Sequence, residues 1–250
     1  MTTFAIPNYN RIENVYELCQ HHNEDERISE IVICDDHSDI QVLGKVADAV
    51  HDMEKVKLFR NDKNVGPFLN KVNTVFHSTN DWVILCDSDN FISKDYVDKI
   101  FEQEPWNVDT LYCPDFAKPA FDYTGFSGKL IDNKESLSDV YLNVHNGACF
   151  LNTGNFFFNR QTYLDITTKC TQFCADKHAC DVVAFNYFWV FFGNKIQSVK
   201  DLQYDHDHNS GDSVWRKFQS QNKHHDDLIR KMMSGEVDVQ ITESETQNVG

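Results

Sequence analysis

The sequence predicts an α/β fold, a mainly parallel sheet flanked by helices in a single domain. Three observations carry this. Short apolar runs alternate with helical periodicity through residues 3–101, the pattern of successive strand–helix units. Three of those runs stop in polar residues: Pro7-Asn8-Tyr9-Asn10, Asp35-Asp36-His37-Ser38 and Asp87-Ser88-Asp89. Parallel strands would bring these ends to one carboxyl edge, where open α/β sheets bind ligands. Finally, 250 residues with 41% hydrophobic content suffice for one sizeable core.

The elements follow in order. Phe4–Ile6 is a short strand ended by Pro7, and a helix is expected from about Asn14 to His22, with Val15 and Leu18 on one face. Ile31–Cys34 reads as a buried strand running into an acidic turn. Val56–Phe59 is another strand, and its polar loop closes on Gly66 before a helix from Pro67 to Phe76, proline suiting a helix start. Trp82–Cys86 is a strand that runs into Asp87 and Asp89, and Lys94–Phe101 is its helix.

The pattern then loosens. Asp115–Asn146 shows few periodic signals beyond a short helix at Leu137–Leu142, and reads as a long mobile loop region of the kind that forms lids and binding loops. The run "NTGNFFFNRQTYLDI" predicts a short strand followed by a helix. Cys180–Gly193 is a strongly apolar helix stopped by glycine. A strand over Lys195–Leu202, a helix over Trp215–Met233 and a polar, disordered tail from about Gly235 complete the chain.

A formal charge of −16 argues against nucleic acid or an anionic membrane as partner, because both need a basic face. A nucleoside diphosphate stays possible where a metal or a few local cations supply positive charge. No apolar run reaches the ~18 residues of a membrane-spanning helix. The start, "MTTFAIPNYN", lacks the features of a signal peptide. Eight scattered cysteines, with Cys34 and Cys86 in buried strands, read as free thiols of a soluble cytoplasmic protein, peripheral contact with membranes being left open.

One acidic pair after a strand is usually a turn or a helix cap. Three polar strand ends on one edge suggest instead a place prepared for a cation and its ligand. The segments "IPNYNR", "EIVICDDHSD", "NVGPFLNKVN" and "ILCDSDN", in this order and at these intervals, resemble nucleotide-sugar glycosyltransferases of the GT-A fold, above all glycosyltransferase family 2. The resemblance covers about Thr3 to Ser213. It implies a Rossmann-like, mixed but mainly parallel sheet. Residues 1–92 would form the nucleotide-sugar half, 93–215 the acceptor half, and 216–250 a C-terminal helix and tail.

The same resemblance assigns roles. Its Asp-x-Asp signature implies a divalent cation, Mn2+ or Mg2+, held against the donor diphosphate. Hard cations prefer oxygen ligands and neutralise both the carboxylates and the leaving group. Asp89 would bind the metal directly, and Asp87 would meet the ribose or a metal-bound water, with small Ser88 between them. Tyr9 would contact the base, with Pro7 shaping the loop and Asn10 also in the donor-nucleotide site, and Asp35 and Asp36 would hydrogen-bond uracil or ribose, favouring a UDP-sugar. Lys71 stands where many relatives carry arginine; it could meet a phosphate as a point charge without the bidentate fork. Asn152, Thr153, Gly154 and Asn155 match the segment that frames the acceptor.

Asp181 would be the general base, although Cys180 replaces the glutamate usual before it. His208, with His206 as the alternative, would be the third metal ligand. The reaction implied is an inverting transfer to a hydroxyl, and the aromatics Tyr123, Phe126 and Trp189 suggest a glycan acceptor. A nucleotidyltransferase would open on a Gly-rich phosphate loop, which "IPNYNR" is not. A non-catalytic sugar- or nucleotide-binding protein would not need Asp87, Asp89 and Asp181 together. Cys170, Cys174, His178 and Cys180 lack the paired spacing of zinc modules. His224-His225-Asp226-Asp227 reads as a solvated helix face.

Overall fold

The computed structural model describes residues 1–119, 121–206 and 219–237. Among them ten strands form one sheet. The first part of the sheet is built from β1 (Thr2–Asn8), β2 (Ile28–Asp35), β3 (Val56–Arg60) and β4 (Trp82–Leu85). Their connections are α1 (Glu13–Asn23), α2 (Ile40–Val50) and α3 (Pro67–His77). A two-residue strand β5 (Asn90–Phe91) and α4 (Lys94–Phe101) follow. The remaining strands are β6 (Thr110–Lys118), β7 (Phe121–Asp122), β8 (Leu130–Ile131), β9 (Phe157–Asn159) and β10 (Lys195–His206). Helices α5 (Lys134–Asn143), α6 (Gly147–Phe150), α7 (Arg160–Ala175), α8 (Asp181–Phe191) and α9 (Gln219–Met233) cover this half.

The strand order is β3-β2-β1-β4-β9-β6-β10-β5. β1 to β4 are parallel, as are β6 and β10, while β9 runs antiparallel to both its neighbours. This is the expected mixed, mainly parallel sheet. β1 is buried along its whole length, so its apolar centre Phe4-Ala5-Ile6 shows no alternation. Phe4, Ile6, Ile31, Ile33, Val83, Leu85 and the run Phe156-Phe157-Phe158 form the centre of the core. α8 is buried on every side from Asp181 to Val190, which explains a helix that is apolar all round.

Four expectations need correction. The region 115–146 is no long loop: it holds the end of β6, two short strands, a 3₁₀ turn and α5, whose bounds exceed the predicted short helix. Pro114 hid β6, since proline has no N–H for the ladder and usually marks an edge or a bulge. Here the register of β10 breaks between Val199 and Gln203, opposite Pro114 and Asp115. Asp115 accepts a bond of 2.9 Å from the backbone N–H of Asp201 in that bulge. Secondly, α2 had gone unread, though Asp39 caps it by accepting from the Gln41 N–H at 2.8 Å.

Thirdly, Tyr123, Phe126 and Trp189 do not face a sugar. Each is at most 2% exposed: Trp189 donates to the Lys195 carbonyl, and the other two rings pack on Phe150. Lastly, the 224–227 face is not simply solvated. His225 bonds the Lys177 carbonyl, and Asp226 accepts from Tyr141 and Arg230. The predicted start of this helix at Trp215 lies outside the described residues, as does most of the expected disordered tail.

Candidate active site

Register places the site. Asn8 pairs with Asp35, and Asp35 with Arg60, so β1, β2 and β3 end together. The Cys86 N–H bonds the Ala5 carbonyl, which brings Asp87 to the same edge. Because β9 is antiparallel, its incoming end reaches that edge too. The Leu85 N–H donates to Phe156, and the Asp87 N–H donates to the Asn155 side chain at 3.0 Å. On the far side His206, last residue of β10, pairs with Asn90 directly after the acid pair. Residues remote in sequence thereby surround Asp87-Ser88-Asp89.

At the centre is a charge cluster. Lys71 on α3 puts Nζ 3.0 Å from Asp87 Oδ1 and 4.0 Å from Asp181 Oδ2. The Lys71 and Asp181 side chains are only 9% and 5% exposed. Burial alone would lower the Lys71 pKa, but Asp87 and Asp181 more than offset this and raise it, so the ammonium stays charged. Burial also raises the Asp181 pKa, with Asp87 adding to the effect and Lys71 opposing it. Asp181 Oδ2 is buried with no hydrogen-bond partner. Removing the Lys71 ammonium would leave the buried Asp181 charge uncompensated, a loss on the order of 3–5 kcal/mol.

Asp89 sits further out, with 41% of its side chain exposed and the Arg11 guanidinium 3.9 Å away. Close packing around it and the Asp87 charge raise its pKa, against Arg11 and Lys71. Arg11 was missed in the sequence. The only hint of it was its place directly after "IPNYN", on the carboxyl side of β1. Gly154 completes the cluster at φ +74°: a Cβ there would lie 2.9 Å from Asp87 Oδ2 and 3.7 Å from both Lys71 Cε and Val182 Cγ2.

The other expected site residues divide between open and internal positions. Pro7 is buried, whereas Tyr9 is 51% exposed at the mouth of the edge. Asn10 accepts from the Asp39 N–H and donates its own N–H to Ser38, tying the β1 and β2 loops together. Asp35 is fully buried and accepts from Asn8, the Ser38 N–H and the Ser38 hydroxyl. Asp36, 3% exposed, accepts from the Val65 and Gly66 N–H groups and from Asn61. Any contact these two acids make to a base or ribose must therefore be added to an already engaged carboxylate. Ser88 is 8% exposed.

Of the acceptor segment, Thr153 donates to Tyr204 and Asn155 donates to the Thr153 carbonyl. Asn152 donates to the Ala179 carbonyl and accepts from the Val183 N–H. These three side chains thus brace the edge from within, and Asn152 links it to the start of α8. Cys180 points away from the cluster: its thiol donates to the Asn222 carbonyl on α9, while the Asn222 side chain accepts from the Ala179 N–H. α9 therefore supports the segment that carries Asp181.

The donor set suits a hard divalent cation: two neighbouring carboxylates, the pKa of Asp89 raised by burial and then by Asp87, with an imidazole at the adjacent strand end. Among the described residues no three His, Cys, Asp or Glu side chains close into a ligand group. His208 lies outside the described residues. Cys170 and Cys174 are buried, and the Cys170 thiol donates to the Ile166 carbonyl. All eight cysteines are free. Among the described residues no helix is long and apolar enough to cross a membrane.

Known proteins share this architecture. S. aureus TarS 1–349, solved with UDP-GlcNAc, is 15% identical with a TM-score of 0.59, over 93% of this chain and 71% of that one. Against the longer S. aureus TarS the values are 16% and 0.61, over 93% of this chain but 42% of TarS. The mannosyltransferase PcManGT from Pyrobaculum calidifontis, solved with GDP-Man and Mn2+, is 13% identical with a TM-score of 0.62, over 96% and 65% of the two chains. At such identities the likeness shows the fold. No curated protein matches the chain. Residues 3–166, from β1 into α7, match the model of glycosyl transferase family 2. That span includes the acid pair, Lys71 and Gly154, and the chain belongs to glycosyl transferase family 2 as a GT-A glycosyltransferase.

Proposed function

We propose that the chain moves a sugar from a nucleoside-diphosphate donor, a UDP-sugar, to a hydroxyl of a glycan or similar acceptor, with inversion at the anomeric carbon. The observation that carries this reading is Asp181 Oδ2, buried, unpartnered and 4.0 Å from the lysine that grips the acid pair. A carboxylate so placed is a base awaiting a proton. Similar folds solved with UDP-GlcNAc and with GDP-Man and Mn2+ support the donor class and the use of a cation.

Asp181 takes the acceptor proton as that oxygen bonds to the anomeric carbon, and the bond to the diphosphate breaks with its electron pair leaving on phosphate oxygen. The raised pKa of Asp181 makes it a stronger base than an ordinary carboxylate. Asp89 would hold a divalent cation, with Asp87 and with His206 or His208 beside it, and the cation would neutralise the departing diphosphate. Arg11, on the open side of Asp89, adds a cation that can meet a phosphate. Tyr9 lies open for the base. Free thiols throughout fit a cytoplasmic setting.

The test is a panel of nucleotide sugars with and without Mn2+, scored by thermal stabilisation and by donor turnover. A UDP-sugar should stabilise and turn over only with the metal. No stabilisation by any nucleoside diphosphate overturns the proposal.

A further inference from the structure

We infer that Lys71 is a positioning residue: its ammonium bridges Asp87 and Asp181 and keeps the Asp181 carboxylate aimed at the acceptor hydroxyl, instead of binding donor phosphate. The inference rests on the glycosyl-transfer reading above and gives one of its residues a different task. A phosphate ligand must be reachable, and the Lys71 side chain is 9% exposed. It threads inward from α3 and ends between the two carboxylates, 3.0 Å from Asp87 Oδ1 and 4.0 Å from Asp181 Oδ2. Gly154 closes over it, its Cβ position lying 3.7 Å from Lys71 Cε.

The two distances mean different things. At 3.0 Å Lys71 hydrogen-bonds Asp87; at 4.0 Å it attracts Asp181 without taking a lone pair. Asp181 Oδ2 therefore feels a positive charge but stays free to accept a proton. At the other end, the backbone at the start of α8 supports the carboxylate through the Val182 N–H. Lys71 is thus the side chain that joins the donor half, through α3 and Asp87, to the base on α8. A neutral residue there would leave the buried Asp181 carboxylate facing the partly exposed Asp87 carboxylate without a counter-ion, and Asp181 would turn away. The task of meeting phosphate then falls to Arg11, the more accessible of the two cations with a side chain 25% exposed.

The experiment compares the wild type, Lys71→Met, Lys71→Arg, Asp181→Asn and the Lys71→Met/Asp181→Asn pair. UDP affinity with Mn2+ is measured by calorimetry, and kcat and KM are measured with a UDP-sugar and acceptor. Lys71→Met should lower kcat about 100-fold, the scale expected for a misplaced catalytic group, and change UDP affinity less than about threefold. In the Asp181→Asn background it should cost nothing more, because the two residues act as one unit. Lys71→Arg keeps the charge and should recover at least about a tenth of the rate.

Tenfold weaker UDP binding by Lys71→Met with kcat preserved overturns the inference and restores a phosphate ligand. A full additional loss in the Asp181→Asn background also overturns it. Should Lys71→Met not fold, Lys71→Arg decides: wild-type UDP binding with partial kcat supports the bridge, and weakened binding with full kcat refutes it. A wild-type chain that binds no UDP refutes the glycosyl-transfer reading itself, and the bridge with it.

Discussion

Gly154→Ala tests the geometry at the centre of the cluster. The added methyl would stand 2.9 Å from Asp87 Oδ2, where ordinary contact begins at 3.4 Å, so the carboxylate must retreat by about 0.5 Å. Asp87 has little room to do so, because Lys71 holds its other oxygen at 3.0 Å and Asn155 holds its N–H. Separately, alanine at φ +74° adds backbone strain of about 1–2 kcal/mol. For a chain of this size that lowers Tm by about 2–8 °C. Gly128 provides the control: it has the same φ of +74° but open space where its Cβ would go. Gly128→Ala should show the fall in Tm alone. Gly154→Ala should show it together with UDP binding weakened about tenfold and transfer slowed about 10- to 100-fold, since a 1 Å error can cost about 100-fold. Calorimetry with Mn2+ and a turnover assay read both effects. If Gly154→Ala binds UDP like the wild type and melts no lower than Gly128→Ala, the Gly154–Asp87–Lys71 packing is not what aligns the site.

Asp89→Ala should abolish metal-supported UDP binding in calorimetry while leaving Tm within about 2 °C, since 41% of its side chain is exposed; unchanged binding would remove Asp89 from the metal site. Asp181→Asn should retain UDP binding and lose transfer. In the wild type, transfer should climb as pH rises through the raised Asp181 pKa and level off above it. The folded chain holds that proton at pH values where the unfolded chain has released it, so this group's contribution to stability drains away as pH rises towards the folded pKa. At neutral pH Asp181→Asn should therefore melt higher, because it removes a buried charge while Lys71 keeps Asp87 as its partner, and a lower Tm would contradict the buried-charge argument. Asp36→Ala removes three bonds that hold the 61–66 loop and should cost about 3 kcal/mol, seen as a Tm fall on the order of 10 °C; a near-neutral melt would mean the loop is held by other contacts.

The first half of the fold was legible because its strands are short, apolar and separated by punctuation: Ile31–Cys34 and Trp82–Cys86 could be read from chemistry alone. α2 was harder, since Gly44 and Lys45 interrupt its apolar face. β6 carries Pro114 and Asp115, local signals for a loop, and it is a strand only because β10 bulges around it. Tyr123, Phe126 and Trp189 looked like sugar platforms because a sequence does not say which aromatic rings are buried.

Residue type and order by themselves determined the class of chemistry. An apolar strand running into Asp87-Ser88-Asp89, together with the other motifs, points to a glycosyltransferase of family 2. The tertiary structure alone decided the wiring. The antiparallel β9 carried Gly154 and Asn155 to Asp87, and α3 carried Lys71 between Asp87 and Asp181, which lie 94 positions apart in the chain. Arg11 gained its place beside Asp89 the same way. Hydrophobicity and turn chemistry act over a few residues and leave their mark in local sequence. A salt bridge between strand ends depends on sheet register, which only the assembled core sets.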